Sequence, residues 1–250
     1  MPWFRGEPDA AARTSLQPRL YRERGKLKDI LYEERELRLE FWRRGVQLIA
    51  EQRPADKWER YFLMQHYGVP SRLLDWSDGS LVALYFAVCE DKNDRTDAQQ
   101  AAVYILDPRW LSERAFEQWP TRAKDRPHGV ALPDWDEAKE YLPEELDNKR
   151  LGPELPLCID PTHVARRVAA QRSRFVVFGR KRDGLRTLCG DGRDKTTGLA
   201  CIRIRRSSAR SIRRELAMAG ISESTIFPHL EGLGRELHDW WKDRHRNTSG

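Results

Sequence analysis

The stretch LMQHYGVPSRLLDWSDGSLVALYFAV, Leu63 to Val88, gathers Gln65, His66, Arg72, Asp75 and Trp76 and follows them with an apolar run. These are side chains that do chemistry. His66 can shuttle a proton or hydrogen-bond a ligand, and Arg72 can pair with a phosphate through its planar fork. Asp75 can accept from Arg72, from a ribose hydroxyl or from the start of a helix. A structural Arg72–Asp75 pair beside a satisfied histidine accounts for the same residues.

Two other segments carry groups of the same kind. In WFRG, Arg5 lies between Phe4 and Gly6. A guanidinium there can donate two parallel hydrogen bonds to phosphate or ribose oxygens, and a neighbouring glycine lets backbone come close. The plain alternative is a surface arginine on an edge strand. In VAAQRSRFVVFG, Gln171 precedes an apolar strand, where its amide can point into a cleft and bind a sugar hydroxyl. Neither glycine-rich phosphate loop, GxGxxG or GxxxxGK[ST], occurs, and CGDGRDKTTG reads as a turn. Cys89, Cys158, Cys189 and Cys201 are scattered without a CxxC pair, so no metal site and no disulfide framework is expected.

Elements must position these groups. WFRG reads as a short first strand. Apolar residues at Leu27, Ile30, Leu31, Leu37, Phe41 and Leu48 predict a long amphipathic helix over 26–52. Pro54 and Asp56 open a second helix carrying Trp58, Phe62 and Gln65, which ends near Gly68 and Pro70. Ser77 or Asp78 is expected to cap LVALYFAV, a helix apolar on all sides and therefore buried. AAVYILD, LPLCID, RFVVFG and ACIRIRR read as strands, and Asp107–Pro108 starts a helix. The expected architecture is α+β: one domain over 1–250 with a mixed, mainly antiparallel sheet packed by helices. The Pro-, Asp- and Glu-rich region 120–156 reads as a surface excursion or lid.

The 250 residues include 45 Lys and Arg against 39 Asp and Glu, a net charge of +6. Much of the cationic excess lies in 165–187 and 201–215, which predicts a basic face able to hold DNA or RNA; a solvated helix face is the alternative. No apolar run is long enough to span a membrane and no signal-peptide pattern opens the sequence, so the expected location is the cytoplasm. A clear cluster of metal-binding carboxylates is lacking, which argues against a metal-dependent nuclease.

Taken together, WFRGEP, QHYGVPSRLLDWSDGSLVALYFA and RVAAQRSRF resemble the FRG domain, a bacterial family named for its Phe-Arg-Gly motif. SLQPRLYR and STIFPHLEGL resemble further motifs of that family, so the likeness runs nearly the length of the chain. Ser71 stands where the family more often has Thr, and Arg174 where a small residue is usual. The order of motifs is also similar to that of mono-ADP-ribosyltransferases, which implies an ADP-ribosyltransferase-like core and NAD as substrate. On that resemblance Arg5 and Gly6 would bind NAD with Arg72 as helper, and Tyr67, Trp76 and Phe86 would wall the nicotinamide. Gln171 would hold a ribose hydroxyl, and Asp75 or His66 would orient or deprotonate the acceptor. RVAAQRSRF lacks the carboxylate that enzymes modifying protein side chains carry there. That points to a different acceptor or to a dead site, and the basic second half would suit a nucleic-acid base as acceptor, in a toxin or phage-defence setting. The rival reading is a noncatalytic module that binds a nucleotide or a protein.

Overall fold

The computed structural model describes residues 1–12, 14–45, 47–48, 54, 56–89, 100–118, 129–148, 152–161, 172–190, 198–228 and 230–247. Among these residues six strands form one open sheet: β1 (Trp3–Glu7), β2 (Leu73–Ser77), β3 (Gln100–Leu106), β4 (Leu157–Ile159), β5 (Ser173–Val177) and β6 (Leu199–Arg205). Their spatial order is β4-β5-β2-β1-β3-β6. Every pairing between these strands is antiparallel, so the expected mixed character is corrected to a purely antiparallel ladder. An isolated parallel bridge joins Ala131 to Ile159.

The central pairing is the unusual one. β1 follows β3 along its full length, and β2 follows β5 along its full length, but β1 and β2 meet only at Phe4–Ser77. The two middle strands therefore splay apart beyond that point.

Helices pack as their sequences dictate. α1 (Leu27–Gly45) buries Ile30, Leu31 and Glu34, three positions on one stripe, while Leu37 and Leu48 are exposed. α2 (Lys57–His66) starts on Asp56, whose carboxylate accepts from the Glu59 amide at 2.8 Å. Its Phe62 ring stacks on Phe175 of β5 at 4.9 Å, and Trp58 stacks on Phe62 at 5.3 Å, pairs worth about 0.5–1.5 kcal/mol each beyond area burial. α3 (Ser80–Val88) has no polar face and is buried against β1 and β3. Its cap differs from expectation. Gly79 is the N-cap, Ser77 Oγ instead accepts from the Gly79 amide at 3.0 Å, and Asp78 pairs with Arg172 and Arg174. α4 (Pro108–Phe116) starts as expected, with Asp107 accepting from the Arg109 amide at 3.0 Å.

The described part of 120–156 contributes to the core. α5 (Asp136–Lys139) and α6 (Pro143–Asn148) flank Tyr141 and Leu142, and Ala131, Ala138, Tyr141, Leu142 and Leu146 are all buried. Tyr141 donates to the Leu155 carbonyl at 2.7 Å. Among the described residues α7 (Gly184–Cys189), α8 (Ala209–Met218), α9 (Glu223–Ile226) and α10 (Leu230–Asn247) follow. One sheet face carries a continuous apolar cluster that includes Trp3, Trp76, Tyr104 and Val176. The other carries two separate clusters, one around α2 with Phe175 and one around α3 with Val103.

Arg72 is fully buried and knots these layers together. Its Nε donates to Glu34 Oε2 at 2.5 Å, its Nη1 to the Phe178 carbonyl at 2.5 Å and its Nη2 to the Tyr141 carbonyl at 2.5 Å. Its amide donates to Glu34 Oε1 at 2.8 Å, and the Tyr61 hydroxyl donates to the same carboxylate. Burial is the largest influence and opposes the charged guanidinium, yet the Glu34 carboxylate together with Tyr61 and Tyr21 outweighs it and holds the Arg72 pKa above its ordinary value. Removing one partner strands the other charge in the core. We expect Glu34→Ala to cost about 3–5 kcal/mol in urea unfolding, and Glu34→Leu with Arg72→Met to cost less than either change alone.

None of the four cysteines is in a disulfide. Burial pushes the Cys189 thiol up to about 12 and the Cys158 thiol well above its usual range. Thiol-reactive reagent at about pH 8 should modify Cys89 and Cys201 in the native protein, and Cys158 and Cys189 only on unfolding. Equal rates at all four would contradict this packing.

Candidate functional site

The splay between β1 and β2 opens a cavity of about 480 Å³. Its wall is built from β1 (Phe4, Arg5, Gly6, Glu7), β2 (Leu73 to Ser77), the end of α2 (Gln65, His66) and one flank of α3 (Ala83, Phe86). Phe175 and Ser173 of β5 close one side, and Arg19 and Arg22 of a short 3-10 helix (Arg19–Arg22) close another.

Arg5 crosses the gap between the strands. Its Nε donates to Glu7 Oε1 at 2.7 Å and its Nη1 to the Asp75 backbone carbonyl at 2.5 Å, so a side chain takes up a group that strand pairing leaves over. The Asp75 side chain is exposed to the cavity. Gln65 Nε2 donates to Asp75 Oδ2 at 2.9 Å, and Ser71 Oγ donates to Gln65 Oε1 at 2.6 Å while accepting from the Leu73 amide at 3.1 Å. The chain Ser71–Gln65–Asp75 thus orients the carboxylate. It uses only the hydroxyl that Ser and Thr share, so the Ser at 71 keeps the function of a Thr.

Of the residues singled out from sequence, Arg5, Gly6, His66, Asp75, Trp76 and Phe86 line this one cavity although up to 81 positions separate them (86 minus 5). Trp76 lines it from within the core cluster, only 3% exposed, and its indole N–H has no acceptor among the described residues. Arg72 does not line it, because its guanidinium is spent on Glu34 and two carbonyls in the core. The expected Arg72–Asp75 pair is likewise replaced by Arg72–Glu34. Tyr67 is 68% exposed, tilts against Phe41 and lies outside the wall. Gln171 lies outside the described residues; Ser173, two positions on, lines the cavity.

Gly6 earns its place differently from expectation. A Cβ there would fall 1.9 Å from the Ala83 carbonyl oxygen and 2.5 Å from the Ala87 amide, so the close approach it permits is between β1 and α3. Sequence reading missed Glu7, Gln65 as orienter, Arg19 and Arg22. A signal for the arginines was present: in a 3-10 helix, side chains at i and i+3 eclipse, so RLYR puts both on one side.

Of the two basic stretches, residues 165–171 lie outside the described residues, and 201–215 runs from β6 into α8. Arg203 and Arg205 on edge strand β6 and Arg210 and Arg214 on α8 are exposed, and β6 leads into α8 through one 3-10 turn (Arg206–Ser208). Among the described residues no group of His, Cys, Asp and Glu could hold a metal ion, and no helix is long and apolar enough to cross a membrane.

The motifs at the cavity wall fall within one recognised unit: residues 2–96 match the FRG domain. Over that part of its length the chain is similar to the FRG domain. The match spans β1 through α3, that is, the two splayed strands and most of the cavity wall, and it ends before RVAAQRSRF and STIFPHLEGL. Comparison with curated proteins and with solved structures gave no match.

Because Gly6 serves packing, Gly6→Ala should destabilise the protein by about 1–3 kcal/mol or more, as overpacking does. Thermal unfolding should show this loss whether or not a nucleotide is present. A variant of unchanged stability that had lost only ligand binding would assign Gly6 to the ligand instead.

Proposed function

We propose that the FRG-domain cleft binds NAD and transfers its ADP-ribose to an acceptor. The reading is supported chiefly by the meeting of Arg5, His66 and Asp75 with the Phe86 ring around one cavity. Its volume falls within the range of about 300–1,000 Å³ common for small-molecule sites. The order of motifs similar to mono-ADP-ribosyltransferases supports it further, and extends the proposal to an ADP-ribosyltransferase-like core.

The chemistry asks little covalent work of the protein. The bond between C1′ of the ribose and the nicotinamide nitrogen breaks, and its electron pair leaves with the ring, which departs neutral. Positive charge builds on C1′, as in glycoside hydrolysis. An acceptor lone pair then bonds to C1′, and the acceptor proton passes to the Asp75 carboxylate or the His66 imidazole. Phe86 and Trp76 supply apolar wall for the nicotinamide, Gln171 holds a ribose hydroxyl, and the Ser71–Gln65 chain keeps Asp75 aimed. A nucleic-acid base is the proposed acceptor class. The arginines of β6 and α8 support it, because cations that neutralise phosphates bind nucleic acid without regard to sequence.

The test is nicotinamide release and label transfer from NAD labelled in the adenylate, with DNA, RNA and protein offered as acceptors. Folded Asp75→Asn should lose at least about 100-fold in rate, the usual contribution of a general base, and Gln171→Ala should also lose activity. NAD that stays intact with every acceptor returns the cleft to the noncatalytic reading.

A further inference from the structure

Arg5 is the residue whose chemistry first suggested phosphate binding, yet its Nε is held by Glu7 and its Nη1 by the Asp75 carbonyl. Two other guanidinium groups reach the same cavity. Arg19 Nη1 donates to the Gly68 carbonyl at 3.3 Å, and Arg22 Nε donates to the Gln17 carbonyl at 3.0 Å. Neither has a carboxylate partner among the described residues.

Their positions are fixed from behind. Leu20 and Tyr21, between them, are buried; the Tyr21 hydroxyl donates to the Gly179 carbonyl at 2.5 Å, and the Leu20 amide reaches the Ser71 carbonyl at 3.4 Å. A 3-10 turn anchored by its two middle residues must present its first and last on the opposite side. We propose that Arg19 and Arg22 form a subsite for a phosphate or pyrophosphate group at the wall of the cleft, with Arg5 as the inner edge that positions it.

The electrostatics agree. Partial desolvation lowers the Arg22 pKa; Glu7 pulls the other way, Arg5 and Arg19 lower it further, and Asp75 opposes them. Three guanidinium groups thus share one hollow with two carboxylates. Like charges brought this close are relieved by an anion, and arginine forks match phosphate oxygens two at a time. A neutral ligand would leave that repulsion in place.

The subsite deepens the NAD reading by naming where the anionic middle of a dinucleotide would lie, but it is tested without catalysis. Binding of ADP, inorganic pyrophosphate and adenosine is measured by calorimetry at low and high salt. The wild type should bind ADP and pyrophosphate with affinity that falls as salt rises. Arg22→Gln and Arg19→Gln should each weaken ADP about tenfold, as loss of a charged hydrogen bond does, and the double variant more, with adenosine unaffected. Arg22→Lys should recover only part of the loss, since it keeps charge without the fork. These variants change rim residues and should unfold at the wild-type temperature. Absence of ADP and pyrophosphate binding to the wild type, or a folded double variant that binds ADP as the wild type does, would overturn the subsite. If ADP binds as described while NAD is never cleaved, the transferase reading falls and the subsite stands. If NAD is cleaved equally by the double variant, the reverse holds.

Discussion

A fully buried ion pair organises this protein. Arg72 and Glu34 lie 2.5 Å apart with no exposed surface on either side chain, and each is charged where water cannot help it. Such a pair is tolerated only when every donor and acceptor is met. Here Glu34 on α1, the Tyr61 hydroxyl on α2, the Phe178 carbonyl beyond β5 and the Tyr141 carbonyl ahead of α6 meet them. Four distant parts of the chain are thereby set around the residue that immediately precedes β2. The position of β2 sets the position of Asp75, three residues on, so the geometry of the cleft is inherited from a contact that never touches it.

This explains which parts of the architecture the sequence disclosed and which it hid. Strands such as AAVYILD and RFVVFG, and the helix starts at Asp56 and Asp107, obey local rules of alternation and capping, and they form where those rules place them. What stayed hidden depends on partners far along the chain. Glu34 reads as one more solvated charge until its spacing from Ile30 and Leu31 puts it on the buried stripe. Tyr141 and Leu146 lie in a segment whose Pro and acidic residues suggest a surface loop, yet it supplies core. Arg72 looks like a ligand for phosphate because nothing nearby in sequence announces Glu34, 38 residues earlier.

The candidate site was legible in its membership more than in its division of labour. Arg5, His66 and Asp75 do share a cavity, but a single sequence could not say that the Arg5 guanidinium bridges two strands, or that Gly6 makes room for a helix and not for a ligand. Arg19 and Arg22 escaped notice because their i, i+3 spacing puts them on one side only once the turn is known to be 3-10. The candidate residues are a mixture: some only touch the hollow, Gln65 both lines it and holds Asp75, and Ser71 acts only by holding a neighbour still.

The single junction at Phe4–Ser77 has a mechanical consequence. The sheet amounts to two stiff plates, β4-β5-β2 with α2 and β1-β3-β6 with α3, joined along one short seam and backed on one face by a shared apolar cluster. Compliance in such an object concentrates at the seam. A scissoring of the plates would resize the gap while leaving both ladders intact, and the tight seating of Gly6 against Ala83 would make the helix travel with its strand as one lever.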